Sequence, residues 1–249
     1  MRLLSNYPRT ATDALFLRDS AYDDMRDRDN PFVLGLVFIV VMGVSVALAN
    51  IVGNLLEWAS LPSLPAVKEA VWESLGRWSW LESLVGSSSD MVSASRALYD
   101  WVWRIWELLA PNPWRSITGL VTTPLGMIVT WLIYGVLAHG YSRLLGGQGS
   151  LAQTYGCVAL GYSTQMLRLA NLLPFVSVGG IVPIWGLVCN FVALKRAHEL
   201  KGVRAFWAAI LPTITIWLIG LMLLLALDLL LGALLPGLIE ELGRFGGAL

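Results

Sequence analysis

Residues 146–212 read GGQGSLAQTYGCVALGYSTQMLRLANLLPFVSVGGIVPIWGLVCNFVALKRAHELKGVRAFWAAILP. Three apolar stretches alternate here with two polar turns, GGQGS and KRAHELKG. Crossing a bilayer takes about 20 mostly apolar helical residues, and each stretch approaches that length. The fold class that follows is all-α, a polytopic membrane helical bundle. Its polar turns, carrying Gly146, Gly147, Gln148, Lys195 and Arg196, belong at the cytoplasmic face.

Working outward, the composition agrees. Of 249 residues, 56% are hydrophobic and 14% charged, against about 25% charged in soluble domains. Mean hydropathy is +0.66. Seventeen basic side chains balance seventeen acidic ones, so no basic field points to nucleic acid. Cys157 and Cys189 sit inside apolar runs without metal-type spacing and read as small buried hydrophobes. His139 and His198 are too scattered for a metal centre, and no cofactor is expected.

In chain order, residues 1–31 form a cytoplasmic lead-in with five Arg and six Asp. Ala11, Ala14, Leu15, Ala21, Tyr22 and Met25 fall on one helical face; a solvated tail is the alternative reading. Ala47-Leu48-Ala49 resembles a cleavage site, but the long acidic head fits an uncleaved first span better. The spans are expected at 32–56, 117–141, 151–173, 176–194 and 205–235, with an outer tail over 236–249.

Residues 57–115 are unusual. Eight of the twelve tryptophans lie there, including Trp72, Trp78, Trp80, Trp101, Trp103 and Trp106. Two amphipathic helices, split at Gly86-Ser87-Ser88-Ser89, are expected to lie on the outer membrane face with these rings docking. A small ectodomain built on its own Trp core is the alternative.

Polar residues inside spans cost free energy and usually find partners. Gln165, Arg168 and Asn171 recur every three residues, Asp228 should reach similar depth, and Asn50, Asn54 and Glu57 approach it. This set reads as a structural pair of Arg168 with Asp228, or as an outward-facing cavity. His139 follows Gly135 at the small-xxx-His spacing of an axial ligand to a chlorin or haem. In a glycine-rich span that match is usually accidental.

Ten of the seventeen Lys/Arg fall in residues 1–31, at Arg143 and in 195–204. By the positive-inside rule the N-terminus is cytoplasmic and the C-terminus outside.

A resemblance to a known family rests on Gly146-Gly147-Gln148-Gly149-Ser150 with Gln153, on Gly161-Tyr162 and on Pro174. Lys195-Arg196-Ala197-His198-Glu199-Leu200 before Ala205-Phe206-Trp207 adds to it, as does Tyr7-Pro8 followed by Leu15-Phe16. Together these resemble the Yip family, the Ypt/Rab-interacting five-span membrane proteins, in its prokaryotic form, with 57–115 as an insertion. The resemblance implies the fold and a bacterial inner-membrane, multi-pass setting, and no settled activity. The aspartate/tyrosine/glycine/proline motif of eukaryotic members is missing, and Met166 stands where they usually carry proline. Both departures argue against a Rab-type GTPase partner. The function expected is non-enzymatic: organising lipid or another membrane protein, as a scaffold or homo-oligomer. Two alternatives are an accessory subunit of a larger, energy-transducing membrane complex and a small transporter.

Overall fold

Every element among the described residues is helical. The computed structural model describes residues 2–78, 89–109 and 113–246. In chain order the elements are α1 (Arg2–Leu15), α2 (Asp19–Arg26), α3 (Pro31–Ser60), α4 (Leu64–Gly76), α5 (Ser89–Leu109) and α6 (Pro113–Leu144). They continue with α7 (Leu151–Gly161), a 3₁₀ segment (Tyr162–Leu172), α8 (Ile181–His198) and α9 (Gly202–Gly246). Among the described residues, three helices are long and apolar enough to cross a membrane: Pro31–Ser60, Ile117–Leu144 and Gly202–Ala233.

The structure redraws several boundaries. The expected span over 151–173 is eleven residues of α-helix followed by eleven of 3₁₀. A run of 3₁₀ beyond three or four residues is uncommon and marks strain or a functional break. The helix that carries the last expected span runs on past residue 235, α9 continuing to Gly246. At 1.5 Å per residue its 45 residues reach about 68 Å, well past a bilayer core of about 30 Å. Trp80, Pro111 and the break at residues 86–88 lie outside the described residues.

The chain divides into two units. The first comprises Met1–Met42, Leu125–Met166 and Gly180–Leu249; the second comprises Gly43–Pro124 and Leu167–Gly179.

In the first unit, α1 and α2 are two helices with a sharp break between them, where Leu17 adopts a left-handed φ of 58°. Ala11, Ala14, Ala21, Tyr22 and Met25 are buried, so their shared face packs inward. Tyr22 is wholly buried, and its hydroxyl donates to the Ala14 carbonyl at 3.0 Å. The thiols of Cys157 and Cys189 donate to the carbonyls of Tyr22 and Ala14. That ties the head to α7 and α8. Asn30 accepts from the Val33 N–H, so Asn30-Pro31 starts α3 with a cap and a proline at the first helical position. Phe32 stacks on Trp131 with centroids 5.2 Å apart, and the Trp131 indole donates to the Tyr155 carbonyl at 3.0 Å. Ser150 and Gln153 cap α7 reciprocally, the capping-box arrangement.

In the second unit, the C-terminal half of α3 meets residues 167–179. A Cβ on Gly53 would lie 1.9 Å from the Asn171 carbonyl oxygen. Only glycine admits that backbone so closely. Gly43 does the same for Pro124, whose Cα would lie 2.7 Å from such a Cβ.

Candidate functional site

The second unit holds the tryptophan-rich pair. Helices α4 and α5 are joined by Lys68–Asp100 at 2.7 Å and Arg96–Glu69 at 2.6 Å. Trp72 and Tyr99 pack with ring centroids 4.9 Å apart, Tyr99 and Trp103 with centroids 5.9 Å apart. The Arg96 guanidinium lies 4.7 Å over the Trp72 ring, a cation–π contact. Lys68 beside Asp100 holds that carboxyl below its ordinary range. Trp72 and Trp103 are thus half-buried between the helices. Trp78, Trp101 and Trp106 point away, Trp101 and Trp106 being 60% and 61% exposed. Leu98, Val102, Ile105 and Leu108 share this exposure. Ion pairs join the two helices, while large apolar side chains as well as Glu73, Arg104 and Glu107 are exposed.

The sequence-selected polar set is only partly assembled. In the second unit the Asn171 amide donates to Asn50 Oδ1 at 3.0 Å, and Glu57 Oε1 accepts from the Phe175 N–H at 2.8 Å. Arg168, half-buried, belongs to this unit too, and its Nε finds no hydrogen-bond partner among the described residues. Asn54 lies on α3 between Asn50 and Glu57 and is half-buried. Gln165 and Asp228 belong to the first unit. Asp228 is exposed on α9.

In the first unit the GGQGS turn packs against the end of α8. A Cβ on Gly149 would lie 2.1 Å from the Ala197 carbonyl oxygen, and one on Gly147 would lie 2.8 Å from His198 Cβ. Gly146 needs its positive φ of 90°. The Gln148 N–H donates to the His198 carbonyl at 3.3 Å. Arg143 donates to the Gly147 carbonyl and Arg204 to that of Leu145. Arg196 pairs with Asp23 and lies 3.7 Å from Asp19. Lys195 precedes it in the last turn of α8, where basic side chains suit the helix dipole.

Sequence reading missed what Thr154 does between the two histidines. Its hydroxyl donates to the Ser150 carbonyl at 2.9 Å and lies 3.0 Å from His139 Nδ1 and 2.8 Å from His198 Nε2. A hydroxyl has one hydrogen and two lone pairs, so both imidazoles donate to it. His198 is then the Nε2–H tautomer, and its buried Nδ1 lone pair has no partner among the described residues. Burial, followed by neighbouring His139 and Arg143, pushes His198 down to about 4. The gap above Gly135 is filled by the Tyr155 ring, which a Cβ there would meet at 2.3 Å. That space is therefore not open to a macrocycle. Among the described residues no cluster of three His, Cys, Asp or Glu could hold a metal.

A cleft of about 500 Å³ opens among α6, α7, the 3₁₀ segment, α8 and α9 of the first unit, lined in part by Thr130, Tyr162, Gln165 and Asn190. Gly161-Tyr162 was legible as a motif, whereas Asn190, a lone amide in an apolar run, was the unused signal.

Long apolar helices, glycine-tight turns and intramembrane polar contacts define an integral membrane protein of helical-bundle type. The family model of the Yip1 domain matches residues 13–225, and the chain belongs to that family. No curated protein and no solved structure matches it.

Proposed function

We propose that this Yip1-domain protein is a non-enzymatic organiser of membrane lipid that seats its α4–α5 pair in the headgroup layer. One observation carries the reading: the outward face of that pair is tryptophan and aliphatic, with Trp78, Trp101, Trp106, Leu98 and Ile105 exposed. Tryptophan favours the interface, where its ring is buried and its N–H stays wet. The chain supplies the location. Three residues separate α3 from α4 and three separate α5 from α6, a reach of about 10 Å at 3.3–3.6 Å per residue. Both ends of the pair are therefore tethered beside spanning helices. Burying the outward face stabilises by about 25 cal/mol per Å² of apolar area.

Spin labels at Leu98, Trp101 and Ile105, read in lipid nanodiscs, test this. Seating in headgroups predicts high collision with oxygen and low collision with a water-soluble nickel chelate. High nickel collision at all three would describe a free ectodomain and overturn the reading. Low collision with both reagents would mean protein contact, in a partner membrane protein or a second copy, and would overturn it as well. Replacing residues 60–113 by a short Gly/Ser linker should leave an inserted bundle, because spanning helices satisfy their backbones internally. Mass spectrometry of gently extracted protein should then show fewer co-purifying lipids.

A further inference from the structure

The turn between α6 and α7 gathers positive charge from two helices. Arg143 lies in the last turn of α6, and its Nη1 donates to the Gly147 carbonyl at 3.2 Å. Arg204 lies in the first turn of α9, and its Nη1 donates to the Leu145 carbonyl at 3.3 Å. A Cβ on Gly146 would lie 3.1 Å from that Arg204 nitrogen, so glycine lets the guanidinium rest on the turn itself. Two guanidiniums are thus held on carbonyls two residues apart. Both side chains are exposed, and each keeps its remaining N–H donors for another acceptor.

Neither meets a carboxylate. Among the described residues, the ion pairs of the first unit fall on Asp13, Asp19, Asp23, Asp27 and Glu199, and their cations are Arg9, Arg18, Arg26 and Arg196. Like charges gathered on one turn repel each other. An anion between them removes that cost, and the planar fork of arginine suits a phosphate.

The surroundings say where the phosphate comes from. Arg143 is next to last in the apolar stretch Ile117–Leu144, and Arg204 is third in Gly202–Ala233. Basic residues at the ends of spanning helices lie among headgroups. Beside the arginines, Leu144 is 82% and Val203 74% exposed, and Phe206 and Trp207 are exposed just beyond. A free anion would use the two guanidiniums alone, whereas a lipid also covers this apolar surface. A zwitterionic headgroup carries its own cation beside the phosphate, so a net anionic one gains more from the arginines.

We infer that Arg143 and Arg204 clamp the phosphate of an anionic phospholipid on the Leu145–Gly147 turn, its acyl chains lying against Leu144, Val203 and Phe206. The α4–α5 face takes no part, so the two proposals stand or fall separately.

The test uses the full chain in phosphatidylcholine nanodiscs at physiological salt, where diffuse surface charge is screened. The probe is phosphatidic acid with a diazirine at the top of one acyl chain. It should label peptides covering 140–147 or 202–207, and unlabelled phosphatidic acid should displace it. Diacylglycerol with the same chains and inorganic phosphate should each compete about tenfold less well, the equivalent of about 1.4 kcal/mol. Inorganic phosphate competing as well as the lipid would mean a free-anion site, and diacylglycerol doing so would mean an apolar contact alone; either overturns the inference. Arg143→Gln combined with Arg204→Gln should cut labelling by a similar factor. Arg28→Gln removes an exposed charge elsewhere in the first unit and should leave labelling unchanged. Equal losses in both would reveal a diffuse positive field in place of a clamp. The wild-type competition decides alone if the double variant does not fold.

Discussion

At the residue scale, His198 carries the clearest pH dependence. It is 1% exposed and held down to about 4, whereas an unfolded histidine titrates near 6.5. Between those values the unfolded chain binds more protons, so stability is complete above 6.5 and is lost as pH falls toward 4. The loss is on the order of 3 kcal/mol. Thermal unfolding in detergent at pH 7.5 and 4.5 should therefore differ more for the wild type than for His198→Gln; equal pH differences would exclude the buried neutral imidazole. Thr154→Val removes the acceptor that both imidazoles use and should cost about 1–3 kcal/mol. Gly149→Ala sets a methyl 2.1 Å from a backbone oxygen, which cannot swing aside as a side chain would. It should destabilise by about 1–3 kcal/mol, measured in the same unfolding assay.

At the element scale, the question is what holds α1 and α2 down. In the ion pairs of Arg196 with Asp23 and Arg26 with Glu199 at least one side chain is about a third or more exposed, and pairs of that kind contribute about 1 kcal/mol or less. Tyr22 is wholly buried and bonded, and truncating a buried aromatic costs about 3–5 kcal/mol. Tyr22→Ala should consequently release residues 2–26, seen as rapid tryptic cleavage at Arg18 and Arg26, whereas Asp23→Asn should barely change the rate. Similar cleavage in both variants would reverse the ranking of packing over charge. The same logic explains why the head's apolar face was readable in advance. Helical spacing is a local property: Ala11 and Ala14 share a buried face within α1, and Ala21, Tyr22 and Met25 one within α2, although the chain breaks at Leu17 between them.

At the scale of the whole molecule, we propose the orientation that the basic residues suggest, with the head and the α6–α7 and α8–α9 turns cytoplasmic. Single cysteines at Gln148 and Gly202 test it, in a background with Cys157 and Cys189 replaced by alanine. Gln148 is exposed and Gly202 has open space around its Cα, so neither should disturb the fold. Both should resist an impermeant thiol reagent in intact cells, while a cysteine at Ser93 on α5 should react. Labelling at Gln148 from outside would invert the topology. The amino-acid sequence by itself determined the helical membrane class, the long apolar helices, the amphipathic head and the tight GGQGS turn. Apolar run length, 3.6-residue spacing and glycine or cap chemistry all act over a few neighbouring residues. Tertiary structure alone decided which polar groups meet. His139, Thr154 and His198 come from three elements, as do Thr130, Tyr162 and Asn190 around the cleft. Such pairings depend on how each helix is rotated and how closely glycines such as Gly53, Gly149 and Gly161 let backbones approach. The change to 3₁₀ at Tyr162 belongs there too. Residues of ordinary helical propensity carry it, and it aims Tyr162 and Gln165 at a space that exists only once α6, α8 and α9 surround it.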